Sequence, residues 1–130
     1  MGAWWPGAFQ NDDAMDFVAD LMDAPPPQRA ERIHSALSLD GAYIDVLEAC
    51  EALAAAALVA AAWGMPLLDP PGLDEISHSS WVPPTDGDRA RAKEALLRIM
   101  GNGSEWRELW EEGDLFQEAR QVCEDIPMYL

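Results

Sequence analysis

The chain reads as all-α: a compact single-domain bundle of about six helices packed around a central alanine-rich helix. Three observations predict this. Apolar residues recur three and four positions apart in most segments, which is the spacing of one helical face. No segment shows the period-two alternation and β-branched enrichment of a half-buried strand. The stretch from Ala52 to Trp63 carries no polar side chain, and a helix that is apolar all round belongs in an interior.

The first helix is expected after Asn11, Asp12 and Asp13, each a competent N-cap, and should run to about Asp23. Ala14, Phe17, Val18 and Leu21 form its inner stripe, and Asp12, Asp16, Asp20 and Asp23 line the other face. Pro25, Pro26 and Pro27 break the chain and can open a second helix, whose inner side is Ala30, Ile33 and Leu37. Asp40 is expected to open the longest helix, ending near Gly64, with Asp45, Glu48 and Glu51 outside on its first half. Residues 64–84 hold five prolines and no sustained period, a long loop for a compact domain.

Thr85 or Asp86 should start the next helix, with Ala92, Leu96, Ile99 and Met100 inside, and the GNGS turn at 101–104 should stop it. Ser104 caps a short helix that buries Trp106, Leu109 and Trp110 and exposes Glu105, Glu108, Glu111 and Glu112. Asp114 and Gln117 have capping-box spacing for a last helix, with Leu115, Ala119, Val122 and Ile126 on one side and an end at Pro127. Trp4, Trp5, Gly7 and Phe9 precede any periodicity. Large apolar groups so near the N-terminus are expected to pack on the core.

These residues also carry a family resemblance. Met1, Gly2, Ala3, Trp4, Gly7, Phe9, Asn11, Asp12, Ala14, Asp16 and Phe17 at the start, the alanines from Ala55 to Ala62, and the run SEWRELWEE from Ser104 to Glu112 together resemble the bacterial family called domain of unknown function 4259 (DUF4259). Trp5 stands where the family pattern has glycine, and Trp106 where the late run usually has leucine, so local packing there should be bulkier. The resemblance implies a small helical fold and carries no catalytic role onto any residue.

Composition narrows the classes of function. With 130 residues and 49% apolar content, the chain suits one domain, spanning 1–130, that buries a packed core. The net charge of −16 argues against direct binding to phosphate backbones or anionic lipid, which need Lys/Arg patches. No apolar stretch suits a membrane span, and no secretory signal or myristoylation pattern is present, so a cytoplasmic location is expected. Cys50 and Cys123 are then expected to be free thiols in the core rather than a disulfide. Six of the eight basic residues fall within 24–39 and 85–103, and these segments should pack beside acidic ones.

No chemical motif stands out. Asp12, Asp13, Asp16 and Asp20 share a helix, which cannot wrap them around one ion, and the calcium-loop pattern is missing; no metal and no cofactor is expected. His34 and His78 are not paired at metal-ligand spacing, and no G-x-S-x-G elbow surrounds a serine. The expectation is a non-enzymatic acidic helical protein, monomer or homodimer, that binds a protein partner of basic character. Asp12, Asp16, Asp20, Glu105, Glu108, Glu111 and Glu112 are the contact candidates. The alternative is a small hydrolase with His78, Asp74 and Glu75 under the 64–84 loop.

Overall fold

The computed structural model describes residues 12–65, 85–113 and 115–130. Within them run α1 (Asp12–Asp23), α2 (Pro26–Leu37), α3 (Val46–Ala61), α4 (Asp86–Met100), α5 (Glu105–Glu112) and α6 (Phe116–Asp125). A closing 3-10 turn, Ile126–Tyr129, follows. The N-terminal Trp/Gly/Phe segment and nearly all of the proline-rich loop, with Asp74, Glu75, His78 and Trp81, lie outside the described residues.

The α3 helix is the axis of the bundle. It packs against α1, α2, α4, α5 and the closing turn. Every residue from Ala52 to Ala61 on it is buried, on all sides of the helix. Alanine makes this arrangement affordable in space: its short side chain lets neighbouring helices approach closely from several directions at once, while costing no side-chain entropy. Ala14, Phe17, Val18 and Leu21 of α1 and Ala92, Leu96 and Ile99 of α4 turn toward it, as their spacing predicts; Ala95 is buried with them, and Met100, expected inside, is half-buried.

The helix begins later than the sequence suggests. Asp40 does not open it; residues 41–43 bend, and α3 starts at Val46 with Asp45 as its N-cap. Two features hold the bend. Arg98 of α4 donates to the carbonyl oxygens of Leu39 and Gly41. The Ile44 amide donates to Gly103 O at 2.8 Å, and Ile44 O accepts from Glu105 N at 2.9 Å. This bridge between Ile44 and Ser104 is the one fragment of β pairing among the described residues. At its other end α3 stops at Ala61; Ala62 is exposed and Trp63 half-buried, beneath the Arg89 guanidinium at 4.6 Å.

Three other expectations need correcting. Leu109 is 40% exposed, because only Trp106 and Trp110 fit between α5 and the core, where their rings meet edge to face at 6.4 Å. Glu105 is half-buried rather than outward. The last helix starts at Phe116 with Leu115 rather than Asp114 as its N-cap, and Asp114 lies outside the described residues. The basic segments do lie beside acidic ones, α2 and α4 both packing on α3. Arg29 and Arg98 hold backbone carbonyls, and Arg89 and Arg91 face acids of their own helix. Cys50 and Cys123 are free and buried.

Candidate functional site

The entry to α3 is where acidic groups from separate helices meet. Asp45 lies in extended backbone, and its Oδ1 accepts the Glu48 amide at 2.8 Å, closing the first turn of the helix. Helix α5 starts beside it, because the Ile44–Ser104 bridge ties the two chain segments together. Glu105 then reaches across, its Oε1 accepting the Val46 amide at 2.8 Å. Tyr43 donates its hydroxyl to Glu108, at 3.0 Å to Oε2 and 3.4 Å to Oε1. Asp45, Glu48, Glu105 and Glu108 are thereby held around one short stretch of chain.

Electrostatics tie these groups together. The Tyr43 hydroxyl is held above its ordinary value, first by loss of surrounding water, then by its bond to Glu108 and the charges of Glu108, Glu105 and Asp45. Glu48 is also raised, by loss of hydration and then by Asp45. One turn along, Glu51 is raised by burial first, and then by Asp13 and Asp20 of α1 and by Asp45 and Glu48. The negative field thus runs from α1 across the first turns of α3 to α5. Asp20 and Glu51 also line a cleft of about 420 Å³ between α1, α2 and α3, with Phe17, Glu31, Arg32 and Ser35.

The seven sequence candidates divide unevenly over this surface. Asp20, Glu105 and Glu108 belong to the continuous field. Asp12, Asp16 and Glu112 are exposed on the outer faces of α1 and α5. Glu111 is engaged with Arg107 at 2.7 Å. The groups that join the two faces, Asp13, Asp45, Glu48 and Glu51, were not among the candidates. The signal for three of them was present: Asp45, Glu48 and Glu51 recur every third residue just before the alanine stretch.

Elsewhere the surface is less acidic. Two clefts of about 550 Å³ open beside the exposed Leu97, and arginines line both: Arg91 and Arg98 in one, Arg107 and Arg120 in the other. Arg107 and Arg120 already pair with Glu111 and Glu124, and Arg98 with backbone carbonyls. His34 Nδ1 lies 3.6 Å from Asp88, joining α2 to α4. Among the described residues, no three His, Cys, Asp or Glu side chains are grouped to hold a metal ion. No described helix is long and apolar enough to cross a membrane.

A family model described as domain of unknown function (DUF4259) matches residues 2–122. No curated protein and no solved structure matches the chain.

Proposed function

The chain belongs to the DUF4259 family, whose description states no activity, and from that starting point we propose that it is a non-enzymatic binding protein. It engages a basic macromolecular partner, most simply a protein, through the acidic surface of α1, α3 and α5. The observation that carries this reading is the convergence of Asp45, Glu48, Glu105 and Glu108, from neighbouring helices, around the entry to α3. Like charges crowded on one side raise the free energy of the unbound protein. A cationic partner would relieve that repulsion, so the arrangement favours association.

Asp12, Asp16, Asp20, Glu105, Glu108, Glu111 and Glu112 remain the proposed contact set, joined by Asp13, Asp45, Glu48 and Glu51. Their contributions should differ. Asp20 and Glu48 would meet the partner directly, and Glu108 would do so while accepting the Tyr43 hydroxyl, whereas Glu105 and Glu111 are already engaged within the protein. The net charge of −16 would steer a basic partner at low salt, where the Debye length reaches about 30 Å at 0.01 M.

Association kinetics test the reading. Partners captured at low salt should carry basic surfaces, and their on-rates should fall by about tenfold or more between 50 and 300 mM salt. Reversing Asp20, Glu48 and Glu108 to lysine together should reproduce that fall at low salt. Partners without basic surfaces, or on-rates indifferent to salt, would overturn it.

A further inference from the structure

Charge alone gives a binding surface speed more than residence time; a lasting complex also needs an apolar group that loses water when the partner arrives. The acidic surface contains one such group. Tyr43 is 52% exposed although its hydroxyl is engaged by Glu108, so the ring is fixed in place and wet. Two exposed leucines lie on the chain segments that meet there. Leu47 follows Val46, whose amide Glu105 accepts, and is 49% exposed. Leu109, 40% exposed, lies one turn beyond the half-buried Glu105 and shares the outer side of α5 with Glu108 and Glu112.

We infer that Tyr43, Leu47 and Leu109 form the apolar anchor on which a basic amphipathic helix of the partner protein docks, its lysines or arginines meeting Asp45, Glu48, Glu108 and Glu112. This inference rests on the acidic-surface reading and adds to it where the affinity resides. Three features favour this place over Leu97, Met15 and Met22. The anchor is rimmed by carboxylates, the arrangement of an apolar centre inside a polar ring. Leu97, the most exposed leucine among the described residues, stands between clefts lined by both signs of charge, with Arg91, Arg98, Asp40 and Glu94 in one and Arg107, Arg120 and Glu124 in the other, so it lacks an all-acidic rim. Met15 and Met22 stand on α1 with no neighbouring exposed aromatic ring on that helix. The Tyr43 ring face also suits an arginine, since guanidinium groups stack on aromatic rings while pairing with nearby carboxylates.

The experiment uses the full chain and two synthetic peptides of equal length and equal positive charge, one of leucine and lysine in amphipathic order, the other of serine and lysine. Binding is read by calorimetry or anisotropy at several salt concentrations. The leucine peptide should bind the wild-type protein about tenfold tighter than the serine peptide, a difference of about 1.4 kcal/mol. In the double variant Tyr43→Ser, Leu109→Ser this preference should drop below about threefold, with the salt dependence of both peptides unchanged. In Leu97→Ser it should persist. Circular dichroism and urea unfolding confirm that these surface variants are folded.

Persistence of the leucine preference in the double variant overturns the anchor while leaving the acidic-surface reading intact. Salt-dependent binding of both peptides with equal strength does the same. Failure of either peptide to bind in a salt-dependent way overturns the acidic-surface reading, and the anchor with it.

Discussion

The Oε1 oxygen of Glu105 accepts the backbone amide of Val46 at 2.8 Å, across 59 residues of chain. Val46 is the first residue of α3, so its amide has no partner within the helix, and a carboxylate from α5 supplies one. The negative charge also lies at the positive end of the helix dipole. A residue that reads from sequence as a surface acid thus fastens two helices together.

Glu105→Ala should therefore destabilise the fold, by about 1–3 kcal/mol, since it orphans a half-buried amide and removes a favourable charge. Glu105→Gln keeps an acceptor oxygen and should cost about half as much. Glu112→Ala, at the exposed last residue of α5, should stay within about 0.5 kcal/mol of wild type. Urea midpoints at constant slope check all three. Equal costs for the two Glu105 variants and Glu112→Ala would show that the bond to Val46 contributes nothing.

The turn that delivers Glu105 to its place depends on Gly103. Its φ is +81°, and a Cβ there would lie 2.7 Å from the Ala42 carbonyl oxygen, on the segment that the Ile44–Ser104 bridge holds. Gly64 also has positive φ, +107°, but a Cβ there would meet nothing within 4 Å. Both Ala variants incur backbone strain of about 1 kcal/mol, and Gly103→Ala adds a clash with backbone, raising its cost to about 2–4 kcal/mol. Thermal unfolding should separate the two clearly. Because Gly103→Ala pushes the 42–44 segment, it should also weaken the Tyr43–Glu108 bond, visible as a change in tyrosine fluorescence.

The inner stripes of α1 and α4 were legible because their apolar residues recur with helical period and nothing competes for them. The Ala52–Ala61 core was legible for a simpler reason: a surface helix would need polar residues that this one lacks. The true start of α3 was not. Asp40 and Asp45 are both competent caps, and the choice between them is made by Arg98 and by the Ile44 bridge, contacts with partners far along the chain. The joining of the acidic faces was hidden for the same reason. Sequence shows which acids share a helix, but which helices lie side by side is decided by packing.

The two thiols yield a pH prediction. Burial pushes Cys50 up to about 12, with smaller contributions from Asp13 and Glu51, and pushes Cys123 up to about 12, with a contribution from Glu124. The ordinary value is 9.0. A raised folded value leaves stability untouched below pH 9 and removes it as pH rises from there toward 12, because only the unfolded chain ionises in that window. At pH 10 each thiol should have cost the fold about 1.4 kcal/mol. Cys50→Ala and Cys123→Ala should be less stable than wild type at pH 7, and the deficit should shrink by that amount at pH 10. Ellman's reagent at pH 8 should label neither cysteine in the folded protein and both in denaturant. Rapid native labelling of Cys50 would contradict the buried axis itself.

Glu51 gives the prediction that links stability to binding. Its carboxyl is raised above 4.5 first by burial against the core and then by Asp13, Asp20, Asp45 and Glu48. The sign follows directly: below pH 4.5 the group is neutral folded and unfolded, and as pH rises the unfolded chain ionises more readily, so stability is lost through the folded titration. Glu51→Gln should therefore raise the urea midpoint at pH 7, and that gain should close as pH falls below 4.5. Because burial is the larger cause, salt at about 1 M, which shortens screening to about 3 Å, should reduce the gain only in part. A bound basic peptide should reduce it further, since a cation near Glu51 favours the ionised form that glutamine cannot adopt. A Gln variant less stable than wild type at neutral pH would mean that Glu51 is satisfied within the fold, and would remove the repulsion on which the proposed binding depends.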